Sequence, residues 1–102
     1  MTHGDLVNSI LLEVSPLGIA WSNPTGALKV EDRFIRYGCP GSPDILACIN
    51  GRFIGIEAKV GRDPHRPKQK DFATAVRRAG GIYILARSVD DVTNTLRLEG
   101  IA

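Results

Sequence analysis

A chain of 102 residues with 43% apolar and 24% charged residues has the composition of one ordinary globular domain, expected to span 1–102. That balance argues against disorder, and no apolar run approaches the ~20 residues of a membrane span. A net charge of +2 is too small to argue for nucleic acid by itself, and two cysteines, Cys39 and Cys48, make no disulfide framework. With no signal-peptide pattern at the start, the expected setting is a reducing cytoplasm.

The first helix is expected over residues 2–15. Thr2 and Asp5 have capping-box spacing, Leu6, Val7, Ile10, Leu11 and Val14 fall on one stripe, and Ser15-Pro16 with Gly18 stops the run. Glu13 lies at the edge of that stripe, where it either reaches a site at the end of a sheet or is an ordinary boundary glutamate in solvent. Gly18–Ser22 is a short strand candidate closed by Asn23-Pro24-Thr25-Gly26, with Trp21 expected in the core. Arg33–Tyr37 alternates basic and apolar residues, as a strand with one wet face does; residues 27–32 are a loop or a strand extension. The Gly- and Pro-rich stretch Gly38–Pro43 then leads into Asp44. Its glycines would let a phosphate backbone approach closely, or it is a plain tight connection.

Pro43–Val60 organises the rest. Two β-runs, Asp44–Ile49 and Arg52–Val60, flank Asn50-Gly51, the residue pair that a two-residue type I′ hairpin turn favours. That turn sets the register, placing Ile49 opposite Arg52 and, counting outward, Asp44 opposite Glu57. Period-two alternation puts Lys59 on the same face. Ile45, Ala47 and Ile49 share the other face with Ile54, Ile56, Ala58 and Val60. Two carboxylates about 5 Å apart repel by roughly 3 kcal/mol at an effective dielectric near 20. A shared proton, a basic neighbour or a divalent cation must offset that repulsion, and Lys59 supplies one charge against two. A hard cation with oxygen ligands is the fullest answer.

A basic loop, Gly61–Arg66, follows, and a helix is expected from Pro67 to Ala79 with Phe72, Ala73, Val76 and Ala79 inward. Gln69 falls on that inward face in the first turn, so it needs a partner, either at the end of the preceding strand or on the backbone. Arg62, Arg66, Lys68, Lys70, Arg77 and Arg78 face only Asp63 and Asp71 in this stretch, as suits either a polyanionic substrate or a solvated helix face. Gly80-Gly81 ends the helix. Ile82–Ala86 is expected as a buried strand parallel to the Glu57 strand, because such crossovers are right-handed. Ser88 and Asp91 cap a last helix. The order α-β-β-β-α-β-α describes an α/β (α+β) domain, a mixed central sheet flanked by helices, with one or two further strands before the hairpin.

Pro43-Asp44 followed by Glu57-Ala58-Lys59 on the paired strand resembles the PD-(D/E)xK nuclease superfamily. More narrowly, GCPGSPDIL (38–46), IEAKV (56–60) and PKQKDF (67–72) resemble the virus-type replication-repair nuclease (VRR-NUC) family, small stand-alone members above all. The resemblance covers roughly residues 33–92 and implies a restriction-endonuclease-like core. It implies that Asp44 and Glu57 bind Mg²⁺ or Mn²⁺ with the Ala58 backbone carbonyl, and that Glu13 adds a ligand as a first-helix glutamate does in some members. It makes Lys59 the residue that positions or deprotonates the attacking water, with Gln69 orienting it. The implied activity is metal-dependent endonucleolytic hydrolysis of DNA, leaving 5′-phosphate and 3′-hydroxyl ends, on branched substrates such as Holliday junctions or flaps. DNA repair in a bacterial or phage-infected cell is the implied setting, and a homodimer the implied assembly. Arg62, Arg66, Lys68, Lys70 and Arg36 are the candidate DNA contacts. The competing readings are a sequence- or single-strand-specific nuclease on the same core and a non-catalytic DNA-binding module.

Overall fold

The computed structural model describes residues 1–101. Helix α1 (His3–Val14) opens the chain with the expected capping box: the Thr2 hydroxyl accepts from the Asp5 amide and the Asp5 carboxylate accepts from the Thr2 amide. Leu6, Ile10 and Val14 form its buried stripe. A 3-10 turn over Ser15–Leu17 leads into β1 (Ile19–Ser22). Strands β2 (Gly26–Val30) and β3 (Arg33–Tyr37) come next, then β4 (Ile45–Ile49), β5 (Arg52–Ala58), α2 (Pro67–Arg78), β6 (Ile82–Ala86) and α3 (Val89–Leu98).

Four strands form one mixed sheet in the order β1-β4-β5-β6. Strands β1, β4 and β5 are antiparallel neighbours, while β6 runs parallel to β5, as the right-handed crossover through α2 requires. Asn50 and Gly51 both have φ near the left-handed region, 51° and 76°, so the β4–β5 turn is the expected two-residue type and Ile49 pairs with Arg52. One face of the sheet, with Ile45, Ala47, Ile49, Ile54, Ile56, Ala58, Ile82, Ile84 and Ala86, packs on α1 and α3 to make the main core. On the other face α2 lays Ala73 and Val76 over Tyr83. The domain is thus a sheet between two helical layers, α1 and α3 on one side and α2 on the other.

Two elements depart from expectation. Residues 26–30 are a strand, and it pairs only with β3, in a two-stranded ribbon separate from the main sheet. The ribbon is exposed along its whole length, so β3 has no buried face. It stretches the molecule to 49 × 32 × 25 Å with a radius of gyration of 14.1 Å, against about 13 Å for a compact chain of this length. Trp21, expected in the core, is 48% exposed on the edge strand β1. Only one face of β1 packs on α1, and Trp21 lies on the other.

Candidate active site

The register Ile45↔Ile56 continues one step to set Asp44 opposite Glu57 at the end of the sheet. Strand β4 stops at Ile45, and there the Asp44 side chain replaces the ladder: its Oδ2 accepts the Ala58 amide at 2.9 Å. Asn23 holds the approach to this point. Its side-chain amide donates to the Ser42 hydroxyl and the Pro43 carbonyl, and its backbone amide donates to the Asp44 carbonyl. Gly41, with φ +80°, lies so close to the backbone of Lys68 that a Cβ would meet its carbonyl oxygen at 2.4 Å. That glycine therefore serves the packing of the 38–43 segment on the first turn of α2.

Glu57 and Lys59 are both almost wholly buried, at 4% and 3% exposure, which is costly for charges without partners. The Lys59 Nζ is 4.0 Å from Glu57 Oε1 and 3.5 Å from Asp63 Oδ2. Asp63 also takes Arg66, at 3.4 Å, so the basic loop folds back over the mouth of the site. Burial first, and then the adjacent Asp44 carboxyl, push Glu57 up to about 8, with Lys59 pulling the other way. The second oxygen, Glu57 Oε2, is buried without a hydrogen-bond partner. Such an orphan is uncommon in a settled core and marks a place where a ligand or a proton belongs.

The first helix contributes a different residue from the one expected. Glu13 is exposed near the far end of α1, beside Leu17, Thr93, Leu96 and Arg97, and ten residues of helix separate it from His3 by about 15 Å. It is the N-terminus of α1 that meets the site: His3 Nε2 lies 3.2 Å from Asp44 Oδ2. Edge position on a stripe says which face of a helix a residue occupies, but not which end of the helix reaches the site. The sequence carried no signal for His3 beyond its place in the first turn.

Gln69 is half-buried, and its Oε1 accepts the Arg66 amide at 2.9 Å, the backbone partner of a helix N-terminus. A Gln three residues after the N-cap Arg66 has the spacing of that bond, which is the signal the sequence offered. Arg62, Arg66, Lys68 and Lys70 are exposed around the loop and first turn of α2, while Arg36 stands apart on the ribbon. His65 is half-buried, with Nε2 3.0 Å from the Tyr83 hydroxyl and the two rings 5.6 Å apart. Burial, and then Lys59, Lys70 and Arg77, hold its pKa below the usual histidine value. Tyr83 is raised by burial and by Glu57 and Asp44, which places the His65–Tyr83 pair at the border of the acidic cluster.

Among the described residues no three His, Cys, Asp or Glu side chains converge into a ready-made metal cluster. Mg²⁺ does not demand one, since it commonly binds through one or two carboxylates and completes its shell with water and substrate phosphate. The donor set here is hard oxygen, with one buried oxygen lacking a partner, and it fits such a cation. Comparison with known protein families finds no matching family model, and no curated protein matches the chain significantly. No helix among the described residues is long and apolar enough to cross a membrane.

Proposed function

We propose that this protein is a Mg²⁺- or Mn²⁺-dependent DNA endonuclease of the virus-type replication-repair kind, acting on branched DNA. The observation that carries the reading is the unpartnered, buried Glu57 Oε2 beside Asp44, with the Lys59 ammonium 4.0 Å from the same carboxylate. Glu57 has Asp44, Asp63 and Lys59 around it, three acids to one buried lysine, and a divalent cation is the natural counter-charge.

Asp44, Glu57 and the Ala58 carbonyl would hold the cation, which when bound polarises the phosphate and makes a water easier to ionise. The chain's own residues supply the rest. The Ala58 amide and His3 both hold Asp44 Oδ2, which fixes the carboxylate beside Glu57. Lys59, clamped between Glu57 and Asp63, keeps a positive charge where the phosphate gains negative charge as water attacks. Burial of Glu57 and Lys59 lowers the local dielectric and strengthens that attraction. Water adds its oxygen to phosphorus and gives up a proton to solvent, the bond from phosphorus to the 3′ oxygen breaks, and that oxygen takes a proton from solvent, so the ends are a 5′-phosphate and a 3′-hydroxyl. Exposed Arg62, Arg66, Lys68 and Lys70 offer contacts to the DNA backbone beside the site.

The test is the purified protein with Mg²⁺ or Mn²⁺ on linear, flap and four-way junction DNA, alongside Asp44→Asn. Cleavage that needs metal and is lost in Asp44→Asn is expected. Absence of cleavage on every substrate, or unchanged cleavage by Asp44→Asn, refutes the reading.

A further inference from the structure

The chain turns immediately after Lys59, and one distant side chain holds the turn. The Asp63 amide donates to the Val60 carbonyl at 3.3 Å, with Gly61 at φ +59° between them. This brings the carbonyls of Gly61 and Asp63 within reach of a single group, the guanidinium of Arg87. Its Nη1 donates to the Gly61 carbonyl and its Nη2 to the Asp63 carbonyl, each at 3.0 Å. A planar fork with two donors suits two fixed acceptors, as a lysine ammonium does not.

Arg87 is itself well anchored. It directly follows β6, whose last residue, Ala86, accepts the Lys59 amide at 2.9 Å. The Arg87 amide donates to Asp91 Oδ2 at 2.8 Å, in the first turn of α3. The guanidinium thus extends from backbone tied to the sheet on one side and to a helix on the other. The end of β6 therefore grips the chain at Lys59 and again at residues 61 and 63. The clamp acts on Asp63, whose Oδ2 is 3.5 Å from the Lys59 ammonium, closer than Glu57 Oε1 at 4.0 Å. The Asp63 side chain is 41% exposed, so packing alone does not hold it there.

We propose that Arg87 is a positioning residue for Lys59. By clamping the 61–63 turn it keeps Asp63 on the ammonium, and so keeps the ammonium at the carboxylates. Its terminal nitrogens are spent on protein carbonyls, so Arg87 acts on the loop and not on a DNA phosphate. The catalytic half of this inference rests on the nuclease reading; the clamp itself does not.

Arg87→Met, Arg87→Lys and Asp63→Asn test it in two stages. The first uses the protein without DNA or metal. Mass spectrometry follows amide exchange of residues 61–66 and acylation of Lys59 by acetic anhydride. Arg87→Met should speed both at least about 10-fold while exchange in β4 and β5 stays as in the wild type. The second stage uses whichever of the linear, flap and junction DNAs the wild type cuts. The single-turnover rate should fall about 10-fold in Arg87→Met, with DNA affinity and its salt dependence unchanged. Arg87→Met/Asp63→Asn should be no slower than the slower single variant, because both act through Asp63. If Arg87→Met does not fold, Asp63→Asn alone decides, by faster Lys59 acylation and a slower cut. Unchanged loop exchange and acylation, an unchanged rate with a loosened loop, a shallower salt slope, or full recovery in Arg87→Lys each overturns the proposal. A wild type that cuts no DNA refutes only the nuclease, and the first stage still decides the clamp.

Discussion

His3 in the first turn of α1 and Asp44 at the start of the β-hairpin meet at 3.2 Å, although 41 residues separate them in the chain. The contact ties the first helix to the end of the sheet and gives Asp44 Oδ2 a second partner besides the Ala58 amide. The His3 side chain is 48% exposed, so the bond should matter more for orientation than for stability. His3→Ala is expected to change unfolding free energy by less than about 1 kcal/mol, and to weaken Mn²⁺ binding about 3- to 10-fold. Titration calorimetry with Mn²⁺ and chemical denaturation separate the two effects.

Glu57 supplies a pH signature. Burial and the neighbouring Asp44 carboxyl raise its pKa from the ordinary 4.5 to about 8, so the fold favours the protonated acid. Stability without metal should therefore fall as pH rises from about 4.5 through about 8, since the unfolded chain releases this proton earlier. His65, with its pKa lowered from 6.5, acts in the opposite sense below that value, so the interval from pH 7 to 9 isolates Glu57. Denaturation without metal across that interval should show a downward slope that Glu57→Gln removes. Divalent-cation affinity should rise over the same range, because binding must displace the proton.

Lys59→Met replaces a buried ammonium with an apolar side chain of similar length. Removing one partner of a buried pair leaves Glu57 uncompensated and should cost about 3–5 kcal/mol, offset in part by protonation of Glu57, so denaturation must first show that the variant is folded. Losing this buried positive charge should lower cleavage by about 10²- to 10³-fold, the scale of removing one charge-stabilising group. Mn²⁺ binding should persist. A single-turnover assay beside calorimetry checks both halves, and full activity in Lys59→Met would exclude its role.

Gly41→Ala tests the approach to Asp44. The position has φ +80°, and a Cβ there would meet the Lys68 carbonyl oxygen at 2.4 Å. Positive φ and the collision together should cost at least about 1–3 kcal/mol. Loosening the 38–43 segment should also reduce metal affinity, whereas Gly51→Ala, with open space at its Cβ, should lose stability only through its φ of +76°.

Local chemistry was readable from the chain where neighbours in sequence decide geometry. Asn50-Gly51 selected the turn, the turn selected the register, and the register brought Asp44 to Glu57 with Lys59 on the same face, because side chains alternate with period two. Thr2 and Ser88 cap their helices for equally local reasons. The parallel placement of β6 followed from the handedness of crossovers. Tertiary packing alone decided how α1 docks, and therefore that His3 and not Glu13 stands at the carboxylates. A stripe of apolar residues orients a helix about its axis but leaves its direction over the sheet open. Packing also decided that β2 and β3 leave the sheet and that Trp21 faces outward. Alternation of Arg33–Tyr37 predicts a strand with two unlike faces but names no partner for either. The acid pair was thus present in the sequence as a repulsion to be relieved. Its burial, its orphaned Glu57 oxygen and its contact with the first helix came from long-range packing, which closes distances that no local pattern specifies.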